Sequence, residues 1–291
     1  MRRQFMNYFY LKMDTHYFDV PYYPGKKRRV RVLLPKDYDR EDWASYPVVY
    51  MHDGQNVFYS KESFSGHSWK VIPTIKNNKD LPKMIVVGID NDGDRRLNEY
   101  SPWVTDADKN SDVAGIGGDG VDYGEWVVNV IKPFIDENYR TLSDKNNTIL
   151  AGSSMGGIIT AYMGAKYPDV FGVLGVFSLA SWFSESDFLR FIEHHPLHED
   201  TKVYIQVGTI EGDAIDQQFI DGHMNQEYID VSIRYYDLLQ QTGLPNKQSW
   251  LRIMANERHT EQAWANHFLE FLRFGFELDQ RPGLSSRKIN M

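Results

Sequence analysis

The residues Gly152-Ser153-Ser154-Met155-Gly156 set one serine between two glycines, each two positions away. Ser154 is centred in this G-x-S-x-G pattern and Ser153 is not. The spacing suits a strand that turns abruptly into a helix and presents a side chain on a strained backbone. Small residues on either side let the two chain segments pass closely. A helix starting just after the serine would offer free N–H groups and its dipole to a developing oxyanion. The bare pattern arises by chance about 0.1 times in a chain this long, at about 7% for each residue type. Its surroundings fit the geometry, because apolar "TILA" precedes it and helix-like "GGIITAYMGAKYP" follows. Ser154 is either a nucleophile or part of a glycine-rich helix start.

A serine nucleophile needs a base and a group that orients the base. On a sheet with this elbow the acid and then the histidine follow the serine in the chain. Downstream histidines are His194, His195, His198, His223, His259 and His267. His259 lies between the strand-like "QSWLRIM" and a final helical segment, where a loop can present it. His267 falls inside that helix, a place for packing. The acid should follow the strand-like "KVYIQVG", where Glu211 and Asp213 both occur in "GTIEGDAID". Glu211 is preferred; Asp213, another acid, or a dyad without an acid remains open. Two backbone donors complete such a site. Met155 follows the serine directly. Gln55 is expected from the loop after "VVYMH", with Gly54 next.

These residues need a scaffold. Short apolar runs ending in polar or glycine residues recur at "YPVVYMHDG", "KMIVVGIDN", "NTILAGSSMGG", "VLGVFSLAS" and "KVYIQVGTIEG". Helix-like segments lie between them: "GEWVVNVIKPFIDENY", "GGIITAYMGAKYP", "NQEYIDVSIRYYDLLQQTG" and "TEQAWANHFLEFLRFGFEL", with a shorter one within Ser68–Asn78. The alternation predicts a mostly parallel sheet with helices on both faces. Residues 5–35 alternate apolar and polar and break at "VPYYPGKKRR", which predicts an N-terminal antiparallel hairpin. One domain is expected, with N-terminal strands over 1–35, a core over 36–275 and a tail over 276–291. Function should gather in the loops at the carboxyl ends of the parallel strands. Thr105–Gly124 is expected to be a long loop.

Composition narrows the classes. The 291 residues carry a formal charge of -8, which argues against nucleic acid or an anionic membrane as partner. No cysteine is present, which removes disulfides, thiolate metal sites and cysteine nucleophiles. No apolar run approaches a membrane span, and the first residues lack a secretory h-region, so a soluble cytoplasmic protein is expected. The run Lys26–Arg29 is read as a hairpin turn and strand edge.

Other patterns carry less chemistry. Gly115-x-Gly117-x-x-Gly120 follows a polar segment rather than a strand, so it lacks the setting of a dinucleotide site. Asp90, Asp92 and Asp94 begin like a calcium loop but lack its later glycine and glutamate. Glu193, His194, His195 and His198 are interrupted by Pro196 and read as a solvated loop, not a metal site. Arg95, Arg96 and Glu99 either line the pocket or form a structural ion pair. Trp182 either covers the acyl site or packs a lid, and Trp264 reads as core.

Taken together, "YPVVYMHDGQNVF", "IVVGIDN", "RRLNEYSPW", "TILAGSSMGG", "KYPDVFG" and "ERHTEQAW" resemble the putative esterase family of α/β-hydrolases, over roughly Arg31 to Phe274. That family includes feruloyl and acetyl-xylan esterases, S-formylglutathione hydrolase, enterochelin esterases and mycolyltransferases. The resemblance implies an α/β-hydrolase fold and a serine hydrolase of carboxylic or thioesters acting through an acyl-enzyme. It implies Ser154 as nucleophile, His259 as base, and Gln55 with Met155 as oxyanion donors. The family's acid falls in a "G-T-x-D"-like turn, and Gly208-Thr209-Ile210-Glu211 matches with a glutamate instead. A small ester is the expected partner, with no metal or organic cofactor. Trp182, Arg96 and Glu99 are substrate-binding candidates. The alternatives are a non-catalytic binding protein on the same fold and an acyltransferase using the same residues.

Overall fold

A computed structural model describes residues 12–106, 114–212 and 224–278. Eight strands form the sheet: β1 (Lys12–Asp19), β2 (Lys27–Leu34), β3 (Val48–Met51), β4 (Ile85–Ile89), β5 (Thr148–Ser153), β6 (Val173–Phe177), β7 (Lys202–Ile210) and β8 (Ser249–Arg258). Their order is β1-β2-β4-β3-β5-β6-β7-β8. The β1–β2 hairpin pairs antiparallel, β2 meets β4 antiparallel, and β4 through β8 run parallel. This is the mostly parallel sheet with an N-terminal hairpin that the apolar runs predict.

Position in the sheet explains each strand's composition. Every residue of β3, β4, β5 and β6 is buried, so these strands read as unbroken apolar or small-residue runs covered on both faces. The edge strands β1 and β8 are largely exposed or half-buried and carry polar residues. The exposed half of β8 has no apolar run, so the strand extends well past "QSWLRIM" to Arg258.

Eight helices complete the described chain: α1 (Val71–Asn77), α2 (Arg96–Glu99), α3 (Gly120–Trp126), α4 (Lys132–Asn138), α5 (Met155–Lys166), α6 (Glu185–His194), α7 (Met224–Gln241) and α8 (Glu261–Gly275). One core gathers Trp69, Val86, Ile149, Phe177, Trp264, Phe268 and Phe271 under α8. The opposite core joins Tyr50, Val87, Tyr123, Trp126, Ile158, Phe188 and Tyr235 under α3, α5, α6 and α7. Helix α5 is buried from Met155 through Ala165, so its sequence is apolar all round instead of striped. The segment read as one helix over "GEWVVNVIKPFIDENY" is α3 and α4 joined by a wide π turn, Val127–Ile131. Pro133 has no N–H to give to the preceding turn, and the wide turn accommodates it.

Lys26 closes the hairpin turn and Lys27–Arg29 open β2, as the run is read, but two arginines of this strand turn inward. Arg28 and Arg31 are almost fully buried within β2. Arg28 forms paired bonds to Glu99 at 2.7 and 2.8 Å, and Arg31 bonds Asp90 at 3.0 Å. These contacts tie the hairpin to the loop after β4. Among the described residues, no helix is long and apolar enough to cross a membrane.

Candidate active site

The loops flagged by sequence meet at the carboxyl edge of the parallel strands. Four non-glycine residues with positive φ lie along this edge: Asp53 (53°), Ser154 (60°), Ser178 (45°) and Asn256 (61°). Such backbones cost about 1–3 kcal/mol each and persist only where the surroundings enforce them. Ser154 and Ser178 follow directly on β5 and β6, Asp53 lies two residues past β3, and Asn256 lies in β8.

Ser154 sits between β5 and α5 with φ 60° and ψ -124°. Its N–H donates to Phe177 O at 2.9 Å, and its carbonyl accepts from Gly157 N at 2.9 Å. Gly152 is required by close approach. A Cβ there would lie 2.5 Å from Gly156 O. The first glycine of the motif thus lets the strand pass the start of the helix it feeds. Met155 is the first residue of α5, so its N–H has no acceptor one turn back.

Glu211 and His259 are brought together. His259 Nδ1 lies 2.8 Å from Glu211 Oε2. Glu211 is 1% exposed, and its other oxygen accepts from the Ser178 hydroxyl at 2.7 Å and from Gly208 N–H. A register shift between β7 and β8 at Gly208/Ile210 produces this meeting. Asn256 breaks the β8 ladder there and donates its N–H to Thr209 Oγ1 at 2.8 Å. A bulge of this kind re-aims the side chains beyond it. Gly208 has to be glycine, because a Cβ would lie 2.2 Å from Glu257 O. The imidazole is walled by Tyr228 and Trp264, with ring centroids 4.8 and 5.0 Å away. The Ser154 N–H bonds the carbonyl of Phe177, the residue before Ser178, which sets the elbow beside this network. Thr260 then caps α8, its side chain accepting from Ala263 N. Asp213 and His223 lie outside the described residues.

Gln55 occupies the short 3-10 turn Gly54–Asn56, beside the elbow because β3 and β5 are paired. The first N–H bonded inside that turn is Asn56's, to Asp53 O, which leaves the Gln55 N–H ahead of it. The turn is held from the loop after β4. Asn91 N donates to Gln55 Oε1 at 3.2 Å, and Asn91 Nδ2 donates to Asp53 Oδ1 at 2.5 Å. Arg96 grips both Asp53 oxygens at 2.8 Å and reaches Ser153 O at 3.4 Å. Tyr100 OH accepts the Asp53 N–H at 2.9 Å. Burial works to raise the Asp53 carboxyl, but the Arg96 charge and the bonds from Arg96 and Asn91 outweigh it. The carboxyl is held below its usual range. Neighbouring His52 is buried, which pushes it down to about 3, and Asp53 only partly opposes this.

The remaining candidates separate. Glu99 has no exposed surface and is bound to Arg28 and Tyr22, so it takes the ion-pair alternative and is corrected as a substrate contact. Arg96 is a quarter exposed but spends its guanidinium on Asp53 and Ser153. Arg95 stacks 4.3 Å from the Tyr23 ring. Trp182 lies edge-on to Tyr228 at 5.9 Å, which places it next to the ring that flanks His259. Helix α6 runs through His194, so Glu193 and His194 are helical and not in a loop. The His194 and His195 rings turn back to the carbonyls of Arg190 and Phe191. Among the described residues no His, Asp and Glu cluster could hold a metal ion. Sequence reasoning missed Asp53, Asn91 and Ser178 and read Trp264 only as core. The usable signal was position, since Asp53, Asn91 and Ser178 each stand in a polar tail just past an apolar run.

Comparison with known proteins agrees with this architecture. The family described as "Putative esterase" matches residues 22–231. The uncharacterized protein YbbA of Bacillus subtilis (strain 168) is 26% identical over 248 residues, covering 85% of this chain and 92% of its own. The iron(III) salmochelin esterase of Escherichia coli O6:H1 (strain CFT073) is 28% identical over 208 residues, covering 66% of this chain and 44% of its own. The crystal structure of an IroE-like serine hydrolase from Shewanella oneidensis superposes with a TM-score of 0.70 at 16% identity, covering 93% of this chain and 81% of its own. That likeness shows a shared fold. The chain belongs to the putative esterase family and has the α/β-hydrolase fold.

Proposed function

We propose that this protein is a serine esterase that hydrolyses carboxylic or thioesters of small molecules through an acyl-enzyme. Ser154 Oγ attacks the carbonyl carbon while His259 takes its proton. The N–H groups of Met155 and Gln55 hold the tetrahedral oxyanion. Collapse expels the alcohol or thiol, which receives the proton from His259. Water then attacks the acyl-enzyme by the same route and frees the acid and Ser154. Glu211 fixes the imidazole with Nδ1 towards the acid, leaving Nε2 for the serine.

The observation that carries this reading is the buried His259–Glu211 bond of 2.8 Å at the sheet edge where Ser154 stands on its strained turn. A non-catalytic binding protein would have no need to enforce both. The esterase names of the relatives support the same chemistry. A panel of p-nitrophenyl esters tests it: wild type should release p-nitrophenol and Ser154→Ala should not. Added alcohols should not divert the acyl group in preference to water. Equal rates for the two proteins would sink the proposal.

A further inference from the structure

We propose that Ser178 and Trp264 are positioning residues for Glu211, and that this pair is what lets a glutamate serve as the orienting acid. The inference rests on the triad reading above. Indole Nε1 carries one hydrogen and accepts nothing. Trp264 Nε1 lies 2.8 Å from Ser178 Oγ, so the hydroxyl oxygen accepts there. The hydroxyl has one hydrogen left, and its acceptor is Glu211 Oε1 at 2.7 Å. Gly208 N–H donates to the same oxygen. Oε1 is thereby occupied from two sides, and Oε2 is turned to His259. The chain of donors has one direction: Trp264 to Ser178 to Glu211, with His259 donating from the other end.

The parts are rigid and dry. Ser178 has no exposed surface, holds φ 45°, and donates its N–H to Gln206 O at 2.6 Å. Trp264 is 4% exposed, stacks on Trp69 at 5.8 Å and stands edge-on to His259. The same indole therefore orients the acid and flanks the base it serves. Buried networks of this kind are strong only when every member is satisfied. Glutamate has one more rotatable bond than aspartate. Without a hold on Oε1, its carboxylate can rotate away from the imidazole. With that hold, the longer side chain keeps its carboxylate fixed between Ser178, Gly208 and His259.

The test compares Ser178→Ala, Trp264→Phe, the double variant and Glu211→Asp with wild type on a p-nitrophenyl ester. Trp264→Phe keeps an aromatic ring but removes the donor together with part of the packing against Trp69 and His259, so the resonance readout accompanies it. Ser178→Ala loses a hydrogen bond to a charged group and should lower kcat about ten- to a hundred-fold, while Trp264→Phe loses a neutral bond one step further out and should lower it by about ten-fold or less, both with KM unchanged. The double variant should be no slower than Ser178→Ala, because both changes act on one hydroxyl. Glu211→Asp should also lose kcat. A second readout does not need turnover. The downfield proton resonance of His259 Nδ1–H, identified by its loss in Glu211→Gln, should shift in both single variants. If wild type hydrolyses no ester, the functional reading fails while this resonance still reads the positioning. Folded variants with wild-type kcat, an unmoved resonance or additive losses would overturn the proposal.

Discussion

Replacing Asp53 with asparagine isolates the clamp that holds the oxyanion turn. The change keeps size, and asparagine tolerates the positive φ of 53° at this site. It removes the charge that Arg96 grips with two bonds of 2.8 Å. Asp53 is 5% exposed and Arg96 is 25% exposed as side chains, so the pair is only partly screened. Breaking a buried pair costs about 3–5 kcal/mol, and the exposure of Arg96 brings the expectation down to about 2–3 kcal/mol of stability. Asn91 bonds both Asp53 and Gln55, so loosening Asp53 also releases the Gln55 turn. Misplacing one oxyanion donor costs about a hundred-fold in kcat. The assay is kcat and KM on a p-nitrophenyl ester beside urea unfolding. Arg96→Lys should fall between wild type and Asp53→Asn, because a point charge cannot grip both oxygens. Acid should act in the same direction. The folded carboxyl lies below its ordinary value, so its stabilisation is present above that value and lost as pH falls through the folded one. An Asp53→Asn enzyme that is less stable but turns over at the wild-type rate would refute the link from clamp to oxyanion turn.

Three further outcomes follow from particular contacts. Glu99→Gln should lower stability by about 3–5 kcal/mol in thermal or urea unfolding and leave KM unchanged, because Glu99 is fully buried against Arg28; a raised KM with unchanged stability would restore it to the pocket. His52 is held neutral by burial, down to about 3 against 6.5 when unfolded, so its contribution is complete above 6.5 and falls away as pH drops towards 3. At pH 5 the loss is about 2 kcal/mol, and His52→Asn should flatten the unfolding profile between pH 7 and 5 by that amount; parallel profiles would contradict it. Gly152→Ala should cost about 1–3 kcal/mol and much of the activity, since its Cβ would lie 2.5 Å from Gly156 O, and an unchanged melting temperature would show that the elbow can relax.

The scaffold was legible because burial on both faces forces unbroken apolar runs, as in β3 to β6, and each run ends where the sheet does. Ser154 stands out in the sequence for the same reason, directly after β5, and Glu211 likewise directly after β7, whereas His259 is singled out by its place between the last strand and the final helix. What stayed hidden depends on contacts distant in sequence. Arg28 looks like a surface charge until Glu99, 71 positions away, meets it beneath the hairpin. Trp264 looks like core until its one polar atom finds Ser178, 86 positions away. Arg96 reads from sequence as a pocket candidate and Asp53 carries no reading at all; only folding joins them into a clamp. The second half of β8 escaped because an exposed edge strand has no apolar pattern to show.

The central claim is that Ser154 is the nucleophile and His259 its base. A fluorophosphonate probe followed by intact mass and peptide mapping tests it directly. Wild type should gain one adduct, mapped to Ser154. Ser154→Ala should gain none, His259→Ala should label far more slowly, and Ser153→Ala should still label. An unlabelled wild type, or equal labelling of Ser154→Ala, would contradict the account.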